Sequence, residues 1–236
     1  MTRKPPDSPP ADELFLEIGT EEIPSRFLRR ALEDLGRAAE AALGESRIAH
    51  GAVRTLGTPR RLVLAVSGVA EAQESLEERV MGPARRVAYD EAGRPTKAAE
   101  GFARNAGVPV ESLEVVETEK GEYVAALRKE AGRPTAEVLP ALLPGLIQRL
   151  GFPKSMRWGS GDLRFVRPIH WIVALLGGRV IPFEVNGVAS GKASRGHRFM
   201  APGAFEVAGL ADYVKKAEER FVIVDPDERA RRIREG

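Results

Sequence analysis

Ile169-His170-Trp171-Ile172-Val173-Ala174-Leu175-Leu176, then Gly177-Gly178, then Val180-Ile181-Pro182-Phe183-Glu184-Val185, is the stretch whose reading decides the fold class. Apolar and β-branched residues fit the pleated, half-buried surface of a strand. A Gly-Gly pair between two such runs supplies the positive φ angles that a tight hairpin needs. Two antiparallel strands are therefore expected here. Leu113–Thr118 and Glu122–Arg128, on either side of Lys120-Gly121, carry the same hairpin signal. Arg61–Val69 reads as a strand with one buried face, and Leu14–Ile18 as a short strand ending at Gly19. Arg85–Tyr89 and Phe221–Val224 are further strand candidates, while the acidic run Glu71–Glu78 reads as exposed.

Helical periodicity fills the intervals. After Pro24-Ser25, apolar residues recur at Phe27, Leu28, Ala31, Leu32, Leu35, Ala38, Ala39, Ala42 and Leu43, with Gly44 as a stop. Pro95-Thr96 opens a second helix that ends at Gly107. Thr135–Leu150 has an apolar side, but Pro140 and Pro144 are expected to break or kink it, because each removes a backbone donor. Tyr213–Arg220 and a segment beginning near Asp227 complete the helical readings, and the last of these reaches Gly236 with no stop signal, which predicts further chain. Strands and helices alternate irregularly, so the expected class is α+β, with mainly antiparallel sheets and packed helices. The expected division is a loose leader over 1–12, rich in proline and charge, an α+β subdomain over 13–150 and a basic α+β subdomain over 151–236.

Composition excludes several classes. The 236 residues contain no cysteine, so disulfides, thiolate metal sites and cysteine nucleophiles are out. The N-terminal residues have no apolar core, and no apolar run approaches a membrane span, which together favour a cytoplasmic protein without membrane association. There is no phosphate-binding or dinucleotide-binding glycine loop, and no nucleophile elbow surrounds any serine. His50, His170 and His197 show no ligand spacing, so no metal site is expected. No catalytic residue emerges, and a hydrolytic editing domain has no visible constellation to carry it.

Net charge is only +2, but its distribution is uneven. Between Arg149 and Arg198 stand nine Lys or Arg residues against Asp162 and Glu184. Phe152-Pro153-Lys154-Ser155-Met156-Arg157-Trp158-Gly159 and Arg164-Phe165-Val166-Arg167-Pro168-Ile169-His170-Trp171 interleave cations with aromatics. Looped RNA asks for that pattern, since cations meet phosphates and rings stack on bases. The plainer alternatives are core aromatics and a basic face that docks an acidic protein. Gly196-His197-Arg198-Phe199 follows a Gly- and Ser-rich stretch, Ser190 to Arg195, read either as a mobile loop presenting Arg195, His197 and Arg198 to a phosphate backbone or as a crossover between sheets. Arg60 and Arg61 enter a strand, where neighbouring side chains take opposite faces, so one is free for a partner while the other pairs internally. Glu21-Glu22 reads either as capping for the following helix or as a carboxylate pair for acid–base chemistry or magnesium. The candidate RNA-binding set is therefore Arg60, Lys154, Arg157, Arg164, Arg167, Arg195, His197 and Arg198.

Several of these runs resemble one family in order. Leu16-Glu17-Ile18-Gly19-Thr20-Glu21-Glu22-Ile23-Pro24 is similar to the opening motif of the beta subunit of bacterial two-subunit glycyl-tRNA synthetases. Thr58-Pro59-Arg60-Arg61-Leu62, Gly93-Arg94-Pro95-Thr96-Lys97-Ala98-Ala99, the two cation–aromatic runs and Gly196-His197-Arg198-Phe199 continue the resemblance to about residue 200. It implies a cytoplasmic tetramer of alpha and beta subunits that attaches glycine to tRNA(Gly), with ATP and magnesium used at the alpha subunit and no cofactor held by this chain. The family's beta chain is a tRNA-binding and assembly partner that continues into a helical HD-type domain and an anticodon-binding domain, neither of which lies within these residues. No catalytic residue carries over. The competing expectation is a free-standing RNA-binding or assembly module with no catalytic partner.

Overall fold

The computed structural model describes residues 12–90, 92–119, 121–159 and 161–236. The expected leader lies outside them except for Asp12, which opens the first strand, and Lys120 at the tip of the expected 113–128 hairpin is also outside them. The chain runs through β1 (Asp12–Thr20), α1 (Ser25–Glu45), β2 (Val53–Thr58) and β3 (Arg61–Val69). It continues through β4 (Leu76–Ala84), α2 (Arg85–Ala88), α3 (Lys97–Ala106), β5 (Glu114–Thr118), β6 (Gly121–Glu130), α4 (Thr135–Gln148), β7 (Met156–Arg157) and β8 (Arg164–Phe165). Then come β9 (Ile169–Leu176), β10 (Arg179–Val180), β11 (Glu184–Val185), β12 (Val188–Gly191), β13 (Ala193–Arg195), β14 (Ala204–Glu206), α5 (Leu210–Glu218) and α6 (Pro226–Glu235). The class is α+β, as the patterning predicts. No helix among the described residues is long and apolar enough to cross a membrane.

Two compact units result. One is Glu74–Gly132; the other combines the segments before and after it, up to Gln73 and from Arg133 onward. These divisions differ from the boundary expected near residue 150. The reason is strand pairing: β9, from beyond residue 150, lies beside β1 in one sheet, and α4 shares a core with α1.

In the larger unit the sheet order is β11-β12-β9-β1-β3-β2, with β10 beside β9. Every pairing is antiparallel except β12 with β9. β1 is central, and Leu16 lies opposite Leu64 on one side and Ala174 on the other. Because side chains alternate across a strand, Leu14, Leu16 and Ile18 enter one core with α1 and α4. Phe15 enters a second core with Val63, Val173, Phe205 and Tyr213. Both faces are thus covered, which is why β9 reads as an almost unbroken apolar run. α1 buries Leu28, Ala31, Leu32, Leu35, Ala39 and Leu43 at the expected helical spacing.

Four expectations are corrected in this unit. α4 is one continuous helix despite Pro140 and Pro144. The two prolines sit one turn apart, so their lost donors fall along one side, while Leu139, Leu143, Leu146 and Ile147 are held in the core. The Gly177-Gly178 hairpin forms, with φ of 55° and 77°, but β10 pairs with β9 only at Arg179 and Val180. Pro182 has no N–H to continue the ladder. The Gly- and Ser-rich stretch is not a mobile loop: Ser190 and Gly191 pair in parallel with Ile172 and Val173, and β13 pairs with β14. Phe221–Val224 is not a strand either. It is anchored by burial of Val222 and Val224 and by a hydrogen bond from Gly57 N to Val224 O of 3.0 Å.

The smaller unit is a three-stranded antiparallel sheet, β4-β6-β5. Thr96 caps α3 by accepting from Ala98 N, and Gly107 ends it in the left-handed conformation, φ 71°. β4 was not expected, and Arg85–Tyr89, expected as a strand, is the short helix α2. β4 is largely exposed and begins Leu-Glu-Glu-Arg, so no buried face marks it in the sequence. Pairing with β6, not its own hydrophobicity, makes it a strand.

Candidate nucleic-acid interface

The surface rests on a buried polar network. Glu17 and Arg61 are on neighbouring central strands, on the face opposite α1, and both are shut away from solvent. Arg61 Nη1 lies 3.4 Å from Glu17 Oε1 and donates to the carbonyl of Arg195 at 2.9 Å. Tyr213 of α5 donates its hydroxyl to Glu17 Oε1 at 2.9 Å. Burial, followed by the charge of Glu17, pushes the Tyr213 phenol well above its ordinary pKa, so it stays protonated and remains a donor. Above the network lies the Trp171 ring, with the Arg61 guanidinium 5.5 Å and the Arg195 guanidinium 5.7 Å from its centre. The ring fits because Gly19, opposite it in the sheet, has no side chain.

At the end of β1 the chain turns outward, and the Glu21-Glu22 carboxylates meet two of the predicted cations, Arg60 and Arg198. Arg60, in the turn between β2 and β3, places Nη2 3.6 Å from Glu21 and Nε 3.9 Å from Glu22. Arg198 Nη1 is 2.6 Å from Glu22 and 3.9 Å from Glu21. His170 Nε2 is 3.1 Å from Glu21. Arg167 donates its Nε to the Glu22 carbonyl at 2.8 Å. The capping reading of the acidic pair is thereby overturned: α1 has Pro24 at its cap position and no side-chain cap, and both carboxylates turn instead toward the cations. Among the described residues no group of three or more acids and histidines is placed to hold a metal ion.

The hydrogen bond from Arg198 is the largest influence on Glu22 and holds its carboxyl below the ordinary value. A depressed carboxylate pKa means that the pairing is fully present above the ordinary carboxylate range. It is lost as pH falls through the lowered value. A carbon-detected NMR titration of Glu22 should show a midpoint below that of an exposed glutamate, and Arg198→Ala should move it back up. An unchanged midpoint in the variant would remove Arg198 as the cause.

His197 works within its own turn. Its Nδ1 accepts from the backbone N–H groups of Phe199 and Met200 at 3.3 and 3.2 Å, so the neutral ring carries its proton on Nε2. The turn projects Phe199, which is 79% exposed, beside Phe221, which is 56% exposed and has φ 62°. Both line a cleft of about 400 Å³ with Arg60, His197 and Arg198. Arg195 is elsewhere, on β13, with its carbonyl held by Arg61 and its guanidinium over Trp171.

The remaining cations lie on the β7–β8 hairpin or lead into it. Arg157 pairs across it with Arg164 and lies 3.5 Å from Asp162, in an exposed ion pair worth little. Arg164 donates to the Ser155 carbonyl at 3.1 Å and has no carboxylate partner among the described residues. Lys154 is exposed and has no ion-pair partner among them. The nearby aromatics belong to the interior: Phe165 and Trp171 are buried, while Phe152 and Trp158 pack against the first core. Trp158 donates its indole N–H to the Phe165 carbonyl at 3.0 Å.

The eight candidates therefore separate. Arg60 and Arg198 gather at the acidic pair, Arg167 braces its backbone, and His197 lines the adjoining cleft. Arg157 and Arg164 share the hairpin, Lys154 leads into it, and Arg195 stands apart. Sequence reasoning missed the acid pair's role as a counter-charge and the exposure of Phe199 and Phe221. The first had a signal, since carboxylates that stand before a proline at the helix cap position are free to pair elsewhere. The second had none, because an exposed and a buried phenylalanine look alike in a sequence.

Residues 14–236 match the family described as glycyl-tRNA synthetase beta subunit. The glycine–tRNA ligase beta subunit of Citrifermentans bemidjiense is 55% identical over 224 residues, covering 95% of this chain and 33% of that protein. That of Geobacter metallireducens is 55% identical over 222 residues, covering 94% and 32%. That of Syntrophus aciditrophicus is 53% identical over 225 residues, covering 95% and 33%. The chain spans about a third of the length of these curated relatives.

Proposed function

The chain belongs to the glycyl-tRNA synthetase beta subunit family, and from that premise we propose that it serves as the N-terminal tRNA-binding and assembly part of a glycine–tRNA ligase beta subunit. In this reading it works in the cytoplasm with an alpha subunit, in a tetramer of two alpha and two beta chains, and glycine is attached to tRNA(Gly) with ATP and magnesium acting at the alpha subunit. The observation that carries the RNA role is the β7–β8 hairpin with the residues leading into it, where Lys154 and Arg164 are exposed without carboxylate partners among the described residues. Unmatched cations close together on a surface attract a polyanion, and each phosphate they neutralise releases counterions. The Arg60–Arg198 cluster is already neutralised by Glu21 and Glu22 and contributes less. The exposed side chains of Phe199, Met200 and Phe221 favour an assembly contact at that second place.

The test is binding of glycine tRNA across a salt series, with and without the alpha subunit. Lys154→Ala, Arg157→Ala and Arg164→Ala combined should weaken binding by about ten-fold or more and lower the slope of log affinity against log salt by roughly 2 to 3. A wild-type slope in the triple variant would sink the hairpin assignment. Equal RNA binding with and without the alpha subunit, and no complex between the two chains, would favour a free-standing module.

A further inference from the structure

The first turn of α1 breaks the charge pattern that the rest of the helix keeps. Arg29 pairs with Glu33, Arg30 with Asp34, and Arg37 with Asp34, all within one helical turn. Arg26 has no carboxylate partner among the described residues, and its i+3 and i+4 neighbours are Arg29 and Arg30. Like charges at that spacing destabilise a helix, and cations near its N-terminus oppose the dipole. The first turn contains no acid to offset them.

Arg26 is also where two clefts meet. With Phe27 it lines a cleft of about 540 Å³ whose other wall carries Lys154, Met156 and Arg167. The same two residues line a second cleft of about 240 Å³ that includes Arg30. No carboxylate lines either one. The Arg26 guanidinium stands 4.9 Å from the Phe27 ring centre, so the cation is held on an apolar floor. Arg167 is oriented by its bond to the Glu22 carbonyl without being neutralised there.

We propose that the double cleft at the start of α1 is a track for the phosphodiester backbone of RNA, with Arg26 at its centre, Lys154 and Arg167 on one side and Arg30 on the other. This rests on the RNA-binding reading above and adds Arg26, which lies far in sequence from the basic stretch. Two adjoining cationic clefts sharing one arginine suit a chain with a charge at every unit. Apolar floor between the cations suits the ribose and base edges that separate those charges.

The experiment measures glycine tRNA binding by the full-length beta chain in complex with the alpha subunit. Arg26→Glu is compared with Arg104→Glu, an equal charge change at an exposed position on α3. A helix accepts an acid in its first turn readily, so Arg26→Glu should unfold at no lower urea than wild type. It should weaken RNA binding about ten-fold or more, while Arg104→Glu stays within about two-fold. Arg26→Ala should lower the salt slope by about 0.7 to 0.9, the loss of one phosphate contact. Equal weakening by both glutamate variants would overturn the cleft while leaving RNA binding intact. Unchanged RNA binding with weaker alpha-subunit assembly in Arg26→Glu would also overturn it and make the cleft a protein contact. Failure of the wild-type complex to bind RNA at any salt would overturn both this proposal and the reading beneath it.

Discussion

Arg61→Met will lower the unfolding free energy by about 3 to 5 kcal/mol, the largest effect expected of any single exchange in the larger unit. Glu17 is fully buried, and Arg61 is its only cationic partner among the described residues. Methionine fills much the same space but leaves a carboxylate in the core with one remaining donor, the Tyr213 hydroxyl. The Arg195 carbonyl loses its donor in the same step. Urea unfolding followed by tryptophan fluorescence reads the loss. A second variant separates charge burial from packing: Glu17→Leu, Arg61→Met and Tyr213→Phe together remove every partner at once. Replacing a whole buried ionic group by apolar residues is often neutral, so the triple variant should recover most of the stability that Arg61→Met loses. A single variant within about 1 kcal/mol of wild type would show that the pair is not carrying a buried charge.

Gly19→Ala is expected to cost about 3 kcal/mol. A Cβ on Gly19 would sit 1.9 Å from Trp171 Cε2, well inside contact distance. β1 is hydrogen-bonded on both sides and cannot give way, so the indole must leave its place. Trp171 is one of two tryptophans, and it is nearly buried. A shift of the ring toward solvent should therefore move the emission to longer wavelength as stability falls. Trp171→Leu in the Gly19→Ala background should cost less than Trp171→Leu alone, because there it also removes the clash with the new Cβ. Additive losses would mean that the two residues do not share that space.

Both effects arise at positions that a sequence pattern treats as ordinary. Gly19 reads as a strand end, and Glu17 as one residue of the short strand Leu14–Ile18. In fact β1 continues through both, and Glu17 is inside. Sequence periodicity recovered the long elements where one principle dominated. α1, α3 and β3 have clean apolar spacing, with Gly107 supplying the left-handed stop after α3. It failed where pairing decided the outcome. β2 was not legible, the strand β4 was missed within a run rightly read as exposed and acidic, and 190–195 was left between a mobile loop and a crossover, although 190–191 pair with β9 and 193–195 with β14. It also failed at Pro140 and Pro144, where core packing outweighed the local penalty.

The candidate site divides along the same line. Which residues carry charge, that they cluster after residue 149, and that they stand in the order of one family's motifs were all determined by the sequence alone. Which cations are free was decided only by the tertiary structure. Charge neutralisation depends on distances of a few ångströms, and those distances join positions far apart in the chain. Glu22 quenches Arg198 across 176 residues. Lys154 is left open, and Arg26 is carried to its side from the other end of the chain. A charge can be read from a letter, but its partner is set by the fold.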